Sequence, residues 1–272
     1  MAELRQMTER ELLDEVVAKL KQRFKRPKAA CIGAMGNARD DPSPFYLSSL
    51  LARKHVTVVD CQDINVPDKY KTELQKQFFN LEERLVAKLN EKTREGKPLP
   101  KELLRQIASF KVYHTGLGGL WNYRLSAKFT REEYPELNGK NIKLKPGHAG
   151  QTGLRHSSTQ LILDRGTSEK LKPAELIAGI NHYISIIPET GVSLIISHAT
   201  PSKNASNLHY SDYRLIKKIL RQAKNNNPIH VEEVLLSGHG YPKPFDPFHK
   251  YERAFVITKL PAQKEKPKGR VK

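Results

Sequence analysis

Five short apolar runs, spaced along the chain and separated by helical patterns, constrain this sequence more than any other feature. They are Ala29-Ala-Cys-Ile32, Val56-Thr-Val-Val-Asp60, the weaker Ile142-Lys-Leu144, Gln160-Leu-Ile-Leu-Asp164 and Ser193-Leu-Ile-Ile-Ser197. Near-continuous apolar strands of this length need cover on both faces, which a parallel sheet between two helical layers provides. Pro44–Ala52, entered through Asp41-Pro-Ser43, and the helical patterns over Pro173–Ile187 and Tyr210–Ala223 supply the intervening elements. The expected class is α/β: a Rossmann-like three-layer sandwich with a mostly parallel sheet.

The two ends of the chain differ from this alternation. Thr8-Glu-Arg-Glu11 is a capping box, and Leu12, Leu13, Val16, Val17 and Leu20 follow at helical spacing, so a helix is expected over Thr8–Phe24. Near the C-terminus, Val231–Leu236 and Tyr251–Thr258 read as strands joined by a turn-rich loop, an antiparallel pair closing the sheet. Residues 65–140 interrupt the pattern with two helices and a glycine joint, Gly116-Leu-Gly-Gly119. The expected organisation is 1–64 as an N-terminal helix and first half-core, 65–140 as a helical insertion, 141–260 as the second half-core, and 261–272 as a basic tail.

Composition narrows the function classes. No apolar run approaches the roughly 20 residues of a membrane span, and the N-terminus lacks a signal-peptide pattern. Only Cys31 and Cys61 occur among 272 residues, which excludes a disulfide scaffold and points to a reducing, cytoplasmic setting with free thiols. Lys and Arg number 47 against 29 Asp and Glu, a formal charge of +18. That balance fits RNA or another acidic partner, and equally a lysine-rich solvated surface.

Four stretches could carry chemistry. Gly33-x-x-Gly36, followed by Asn37, succeeds the first strand, where glycines let backbone approach a ligand closely. Met35 stands where the full dinucleotide fingerprint has its middle glycine, and no Lys-Ser/Thr follows, which disfavours an oxidoreductase and an NTP hydrolase. Asp60 ends the second strand, with Gln62 just beyond. It suits either a ribose diol or a solvent-facing cap, about 27 residues from Gly33 where the dinucleotide pattern has roughly 20. Gly147-His-Ala149 and Asp164-Arg-Gly166 follow later strands at the edge where open α/β sheets bind ligands. Asp164 alternatively caps the next turn. Ser197-His198 ends the fifth strand, and His198 is either an acceptor-side base or a histidine satisfied by loop backbone. Trp121 and Tyr123 belong either to a substrate lid or to packing of the insertion. The histidines fit no metal-ligand spacing.

The order of these features resembles the class I S-adenosylmethionine (SAM)-dependent methyltransferases over most of the chain. Ser158–Thr167 resembles the family's fourth strand and is similar to the Asp-Lys-Gly-Thr form of some protein-lysine methyltransferases. Tyr251–Lys259 resembles the last, antiparallel strand. The resemblance implies SAM as cofactor, with Gly33, Gly36 and Asn37 at its methionine end, Asp60 and Gln62 at its ribose, and Gly147, His148 and Ala149 beside its adenine. It places Asp164, Arg165 and Gly166 towards the methionine or acceptor, with Asp164 and His198 as the catalytic residues and the insertion over the acceptor. His148 stands where many members have an aspartate that contacts the adenine amino group. No Asn/Asp-Pro-Pro-Tyr/Phe segment follows the fourth strand and no cysteine sits at a nucleophile position, which disfavours methylation of adenine N6 and of cytosine C5. The acceptor is therefore RNA, protein or a small molecule, with the charge tilting towards a macromolecule. A non-catalytic nucleic-acid-binding protein on the same fold is the competing class.

Overall fold

The computed structural model describes residues 4–33, 43–51, 56–60, 87, 91, 142–197, 211–240 and 253–261. The expected insertion at 65–140 lies almost wholly outside them, as do Trp121, Tyr123, Cys61 and the tail beyond 261.

Capping chemistry sets the first helix where the sequence predicts it. Helix α1 spans Glu9–Arg23. Thr8 Oγ1 accepts the Glu11 N–H at 3.2 Å, and Glu11 Oε2 accepts the Thr8 N–H at 2.7 Å, satisfying two of the donors that every helix start leaves open. Leu12, Leu13, Val16, Val17 and Leu20 form its buried face, each stabilising the fold by roughly 1.5–3 kcal/mol relative to exposure. Helix α2 spans Ser43–Leu50. Helix α3, Pro173–Ile186, opens with proline at N1, where its missing N–H costs nothing. Helix α4, Tyr213–Asn226, is capped by Asp212, whose carboxylate accepts the Leu215 N–H at 2.9 Å.

The strands are β1 (Gln6–Met7), β2 (Ala29–Ile32), β3 (Val56–Asp60), β4 (Ile142–Pro146), β5 (Leu161–Arg165), β6 (Val192–Ser197), β7 (Ile229–Leu236) and β8 (Arg253–Lys259). They form one sheet in the order β1-β7-β8-β6-β5-β2-β3-β4. The run β4-β3-β2-β5-β6 is entirely parallel and has the 3-2-1-4-5 order of a doubly wound nucleotide-binding core. β2, β5 and β6 are buried at every residue, as their continuous apolar sequences require.

Two details of the closing pair differ from expectation. β7 and β8 are antiparallel to each other, but β8 does not lie at the rim. It inserts between β7 and β6, antiparallel to both. The rim is β1, a two-residue strand ahead of α1 that pairs parallel to Leu235 and Leu236 and is too short to show alternation in sequence. One helical layer (α1, α2) and the other (α3, α4) each bury a cluster against opposite faces of the sheet.

A buried ion pair ties the first layer to the sheet. Arg165, at the end of β5, directs its guanidinium into the α1 layer, where Nε donates to both Glu9 oxygens at 3.0 and 3.2 Å. Arg165 is 1% exposed and Glu9 0%. Ser43 Oγ donates to Glu9 Oε1 at 3.4 Å, and His239 Nδ1 lies 3.1 Å from Glu9 Oε2. The loop after β7 also meets the start of α1, with Glu9 N–H donating to Gly238 O and Arg10 N–H to His239 O. Glu9→Gln removes the carboxylate charge paired with a buried guanidinium. We expect it to destabilise the protein by about 3–5 kcal/mol, measured as a lower midpoint in urea unfolding at an unchanged slope.

Candidate functional site

The parallel register brings four strand ends into one row at the carboxyl edge of the sheet. Ile32 pairs with Val59 and with Asp164, and Asp60 with Pro146. Gly33, Asp60, Gly147 and Gly166 therefore stand at or just past neighbouring strand ends. Two backbone bonds continue the ladder into the loops: Gly33 N–H donates to Val59 O at 2.8 Å, and Gly147 N–H to Asp60 O at 3.0 Å. The strand order reverses at the β2–β5 boundary, the position at which open sheets of this kind bind ligands.

Gly33 is required here on two counts. Its φ is +60°, a left-handed conformation costly for any residue with a Cβ, and a Cβ would lie 2.1 Å from Thr167 Oγ1. Thr167 Oγ1 also lies within donating distance of Ile32 O (2.9 Å) and Gly33 O (3.1 Å). The space beside Gly33 is thus taken by the β5 loop, so the glycine serves close packing of two strand ends. Gly147 is similarly confined: a Cβ would meet Val59 Cγ1 at 2.9 Å and Gln151 O at 3.0 Å. Gly166, with φ +76°, turns the chain out of β5 while its N–H donates to Ile196 O at 2.9 Å.

Asp60 is half-buried at the end of β3, with β2 on one side and β4 on the other. Among the described residues expected at the site, Asp164 and Arg165 are fully buried and Asp60 is not.

Asp164 and Arg165 face away from a ligand at this edge. Asp164 is fully buried. Its Oδ1 accepts the Thr167 and Ser168 N–H groups at 2.9 and 3.1 Å, and its Oδ2 accepts the Ser168 and Tyr183 hydroxyls at 2.6 and 2.8 Å. Four donors fill the acceptor positions of a carboxylate. Burial pushes its pKa above the ordinary carboxylate range, and those four bonds pull the other way. Burial and the neighbouring Asp164 raise the Tyr183 phenol well above its ordinary value. Asp164 is therefore a cap that holds the turn after β5 to α3, not a catalytic carboxylate exposed to substrate. Arg165 is engaged by Glu9 on the opposite face, so it does not reach a cofactor at this edge.

The loop after β4 divides by side chain. Ala149 is 3% exposed and packs beside Gly179 of α3, within the core and away from the edge. His148 is exposed and closes a tight turn with Gln151, with paired backbone bonds of 3.2 and 2.9 Å. Of the other expected site residues, Gly36, Asn37, Gln62 and His198 lie outside the described residues.

A histidine that sequence reasoning missed anchors this loop. His182, on α3, accepts the Thr152 N–H at Nε2 (3.1 Å) and contacts Thr152 Oγ1 at 2.8 Å. Thr152 is fully buried. Burial, then the charges of nearby His156 and His148, hold the His182 pKa below its ordinary value. Its position on a helix, with no motif around it, carries no sequence signal. The amphipathic pattern predicts only that Leu176, Ile177, Ile180, Tyr183 and Ile187 face inward, and of these Ile177 is exposed.

Decisive for the fold is the position of β8: antiparallel, inserted between β6 and β7 of an otherwise Rossmann-like sheet. The sheet is thus Rossmann-like and mostly parallel, with one antiparallel strand, as the resemblance of the sequence implies. No protein-family model matches the sequence, and no curated protein matches it. Solved methyltransferases align with the chain at low identity. The CurJ carbon methyltransferase aligns at 9% identity and a TM-score of 0.48, over 93% of this chain and 54% of its own, so the chain spans about half its length. The methyltransferase domain of a bacterial Hen1 aligns at 11% and 0.47, over 93% and 98%. Magnesium protoporphyrin IX methyltransferase from Synechocystis PCC 6803, solved with bound SAM, aligns at 12% and 0.46, over 92% and 79%.

Two outcomes follow for this carboxyl edge. Gly33→Ala forces a Cβ into Thr167 at a positive φ. We expect a loss of stability above the roughly 1 kcal/mol of an ordinary glycine replacement, read by thermal unfolding. For His182, the unfolded state binds a proton more readily than the folded one. Its stabilisation is then present above about pH 6.5 and is lost as pH falls through the lower folded value. A Tm series between pH 7.5 and 5 should show this decline, and His182→Gln, which can accept the Thr152 N–H without titrating, should flatten it.

Proposed function

We propose that the chain is a SAM-dependent methyltransferase whose cofactor lies along the ends of β2, β3 and β4. The supporting observation is the strand order, because its reversal at β2–β5 opens a crevice beside Gly33, Asp60 and Gly147.

The residues present fit the group at the ribose. A carboxylate at the end of the second core strand has two acceptor oxygens for two adjacent hydroxyls, and Asp60 has that placement. Gly147 keeps backbone, without a side chain, beside it, and the exposed His148 is within the same turn. On the β5 side the fit is backbone only, since Asp164 and Arg165 are committed to the two helical layers. Gly36, Asn37 and Gln62 remain assigned to the cofactor by their position in the sequence.

The bound cofactor supplies a methyl group already activated as a sulfonium. The chain's own part is to hold the acceptor in line with it and, for acceptors that carry a proton, to remove that proton. With Asp164 excluded by its four bonds, we assign the latter task to His198, which directly follows Ser197 at the end of β6. The insertion at 65–140 covers the acceptor in this reading. The acceptor itself is macromolecular and acidic, a choice supported by the formal charge of +18.

Calorimetry with SAM and with NAD tests the assignment. SAM should bind and NAD should not. Asp60→Ala should cost about 1.5–3 kcal/mol for its charged hydrogen bonds, roughly a 10- to 100-fold weaker Kd, with little change in Tm. Absence of SAM binding would sink the proposal, and retained RNA binding would then favour the non-catalytic nucleic-acid-binding class.

A further inference from the structure

The amino edge of the sheet, opposite the cofactor crevice, gathers a dense set of cations. Lys21-Gln-Arg-Phe-Lys-Arg-Pro-Lys28 carries five in eight residues, and Lys21, Arg23, Lys25, Arg26 and Lys28 are all exposed. None of the five takes part in an ion pair among the described residues, whereas Arg5, Lys19, Lys217 and Arg253 each do. The loop that abuts them, 154–160, adds exposed Arg155 and His156. Against these the described loops of the same edge bring one carboxylate, Glu189.

The segment is held in place by more than its neighbours in sequence. Lys28 N–H donates to Gln160 Oε1 at 2.8 Å, and Lys28 O accepts from Gln160 and Leu161 N–H at 2.9 and 3.0 Å. Pro27 is buried, and Phe24 packs against the core at the end of α1. Solvated lysines scattered over a surface need no such backbone. Here the cations project from a fixed stretch between a helix end and a central strand, which lowers the entropy lost when they engage a ligand.

We infer that this edge is an anchoring surface for the phosphate backbone of a nucleic acid, distinct from the crevice across the sheet. Closely spaced, unpaired cations with few acids among them match the regular charge of a phosphodiester chain. No apolar side chain of the segment is exposed, since Phe24 is half-buried and Pro27 buried, so insertion into a membrane has no apolar contact to draw on. The two edges are separated by the length of β5, roughly 17 Å at about 3.3 Å per residue. An anchored strand must pass across the protein to reach the crevice. This surface stands on its charges and backbone geometry alone, and does not depend on the methyltransferase reading.

The test is fluorescence anisotropy with a labelled single-stranded RNA over a salt series, using the full chain. The wild type should bind with a steep negative slope of log K against log salt. Lys25→Ala/Arg26→Ala/Lys28→Ala should reduce that slope by about 2, at about 0.7 per phosphate contact, and weaken binding at moderate salt by about tenfold or more. A matched control, Lys218→Ala/Arg221→Ala/Lys224→Ala, removes the same charge from the exposed face of α4 and should leave the slope nearly unchanged. All three edge side chains are exposed, so Tm should move little, and the corresponding triple Gln variant gives the same expectation if the Ala variant expresses poorly. No RNA binding by the wild type, equal losses in both triple variants, or an unaffected edge variant would overturn the proposal. So would edge-dependent binding to phosphatidylserine vesicles without RNA binding.

Discussion

β5 ends in two adjacent, fully buried charges of opposite sign, and the two helical layers are positioned by satisfying them. Successive side chains of a strand point to opposite faces, so Asp164 must turn to one layer and Arg165 to the other. Asp164 takes the Tyr183 hydroxyl from α3 and the start of the turn at Thr167 and Ser168. Arg165 takes the Glu9 carboxylate from α1. A buried charge without a partner is far more costly than a buried polar group. Each layer is thereby fixed at the same end of the same central strand. The burial of Glu9 also explains why the loop after β7 closes over the first turn of α1: Gly238 and His239 cover the carboxylate and accept its helix-start N–H groups.

This arrangement decides which part of the carboxyl edge is available for chemistry. On the β5 side, the strand end is consumed by structural bonds, and Thr167 fills the space that Gly33 leaves. Towards β3 and β4 backbone bonds bridge the strand ends, at Gly33–Val59 and Gly147–Asp60, and the half-buried Asp60 lies between them. The loop that flanks it is not free either. Thr152 is pinned by His182 from α3, and Ala149 packs on Gly179. Helix α3 thus holds two loops of this edge, capping the β5 turn through Tyr183 and anchoring the β4 loop through His182.

The fold was legible in the sequence because its signals are local. The continuous apolar runs mark β2, β5 and β6, and Thr8 with Glu11 marks the start of α1 within one residue. Even the weak Ile142-Lys-Leu144 run is a strand, at the rim of the core. The position of β8 was not legible, since pairing order between strands is a long-range property that no window of sequence encodes. The site was legible less evenly. Asp60, Gly33 and Gly147 could be placed because a strand end and a glycine are themselves positional signals. For Asp164 the sequence leaves a ligand-facing carboxylate and a cap both open, and for Arg165 it does not show the buried pairing, because a polar strand end looks the same whether it faces a ligand or a helix. Only the partners decide, and these are Glu9 and Tyr183, 156 and 19 residues away. Glu9 was hidden inside a capping box that reads as an ordinary helix start.

The same pairing governs where the excess positive charge can act. Charges in the interior are matched, Arg165 by Glu9 and, half-buried, Arg253 by Glu233. Much of the carboxylate inventory of α1 is also spent locally, with Glu15 held by Arg5 and Lys19 and Glu11 held well ionised by the Thr8 cap. Among the described residues, exposed cations without an ion pair are concentrated between α1 and β2, because the connection 24–28 carries no acid. A connection between a helix and a central strand can tolerate such mutual repulsion only while solvent screens it. The Lys28–Gln160 and Lys28–Leu161 bonds keep the backbone in place against that repulsion. A surface built this way gains most when a polyanion replaces the screening ions, because counterion release and relief of repulsion then act together.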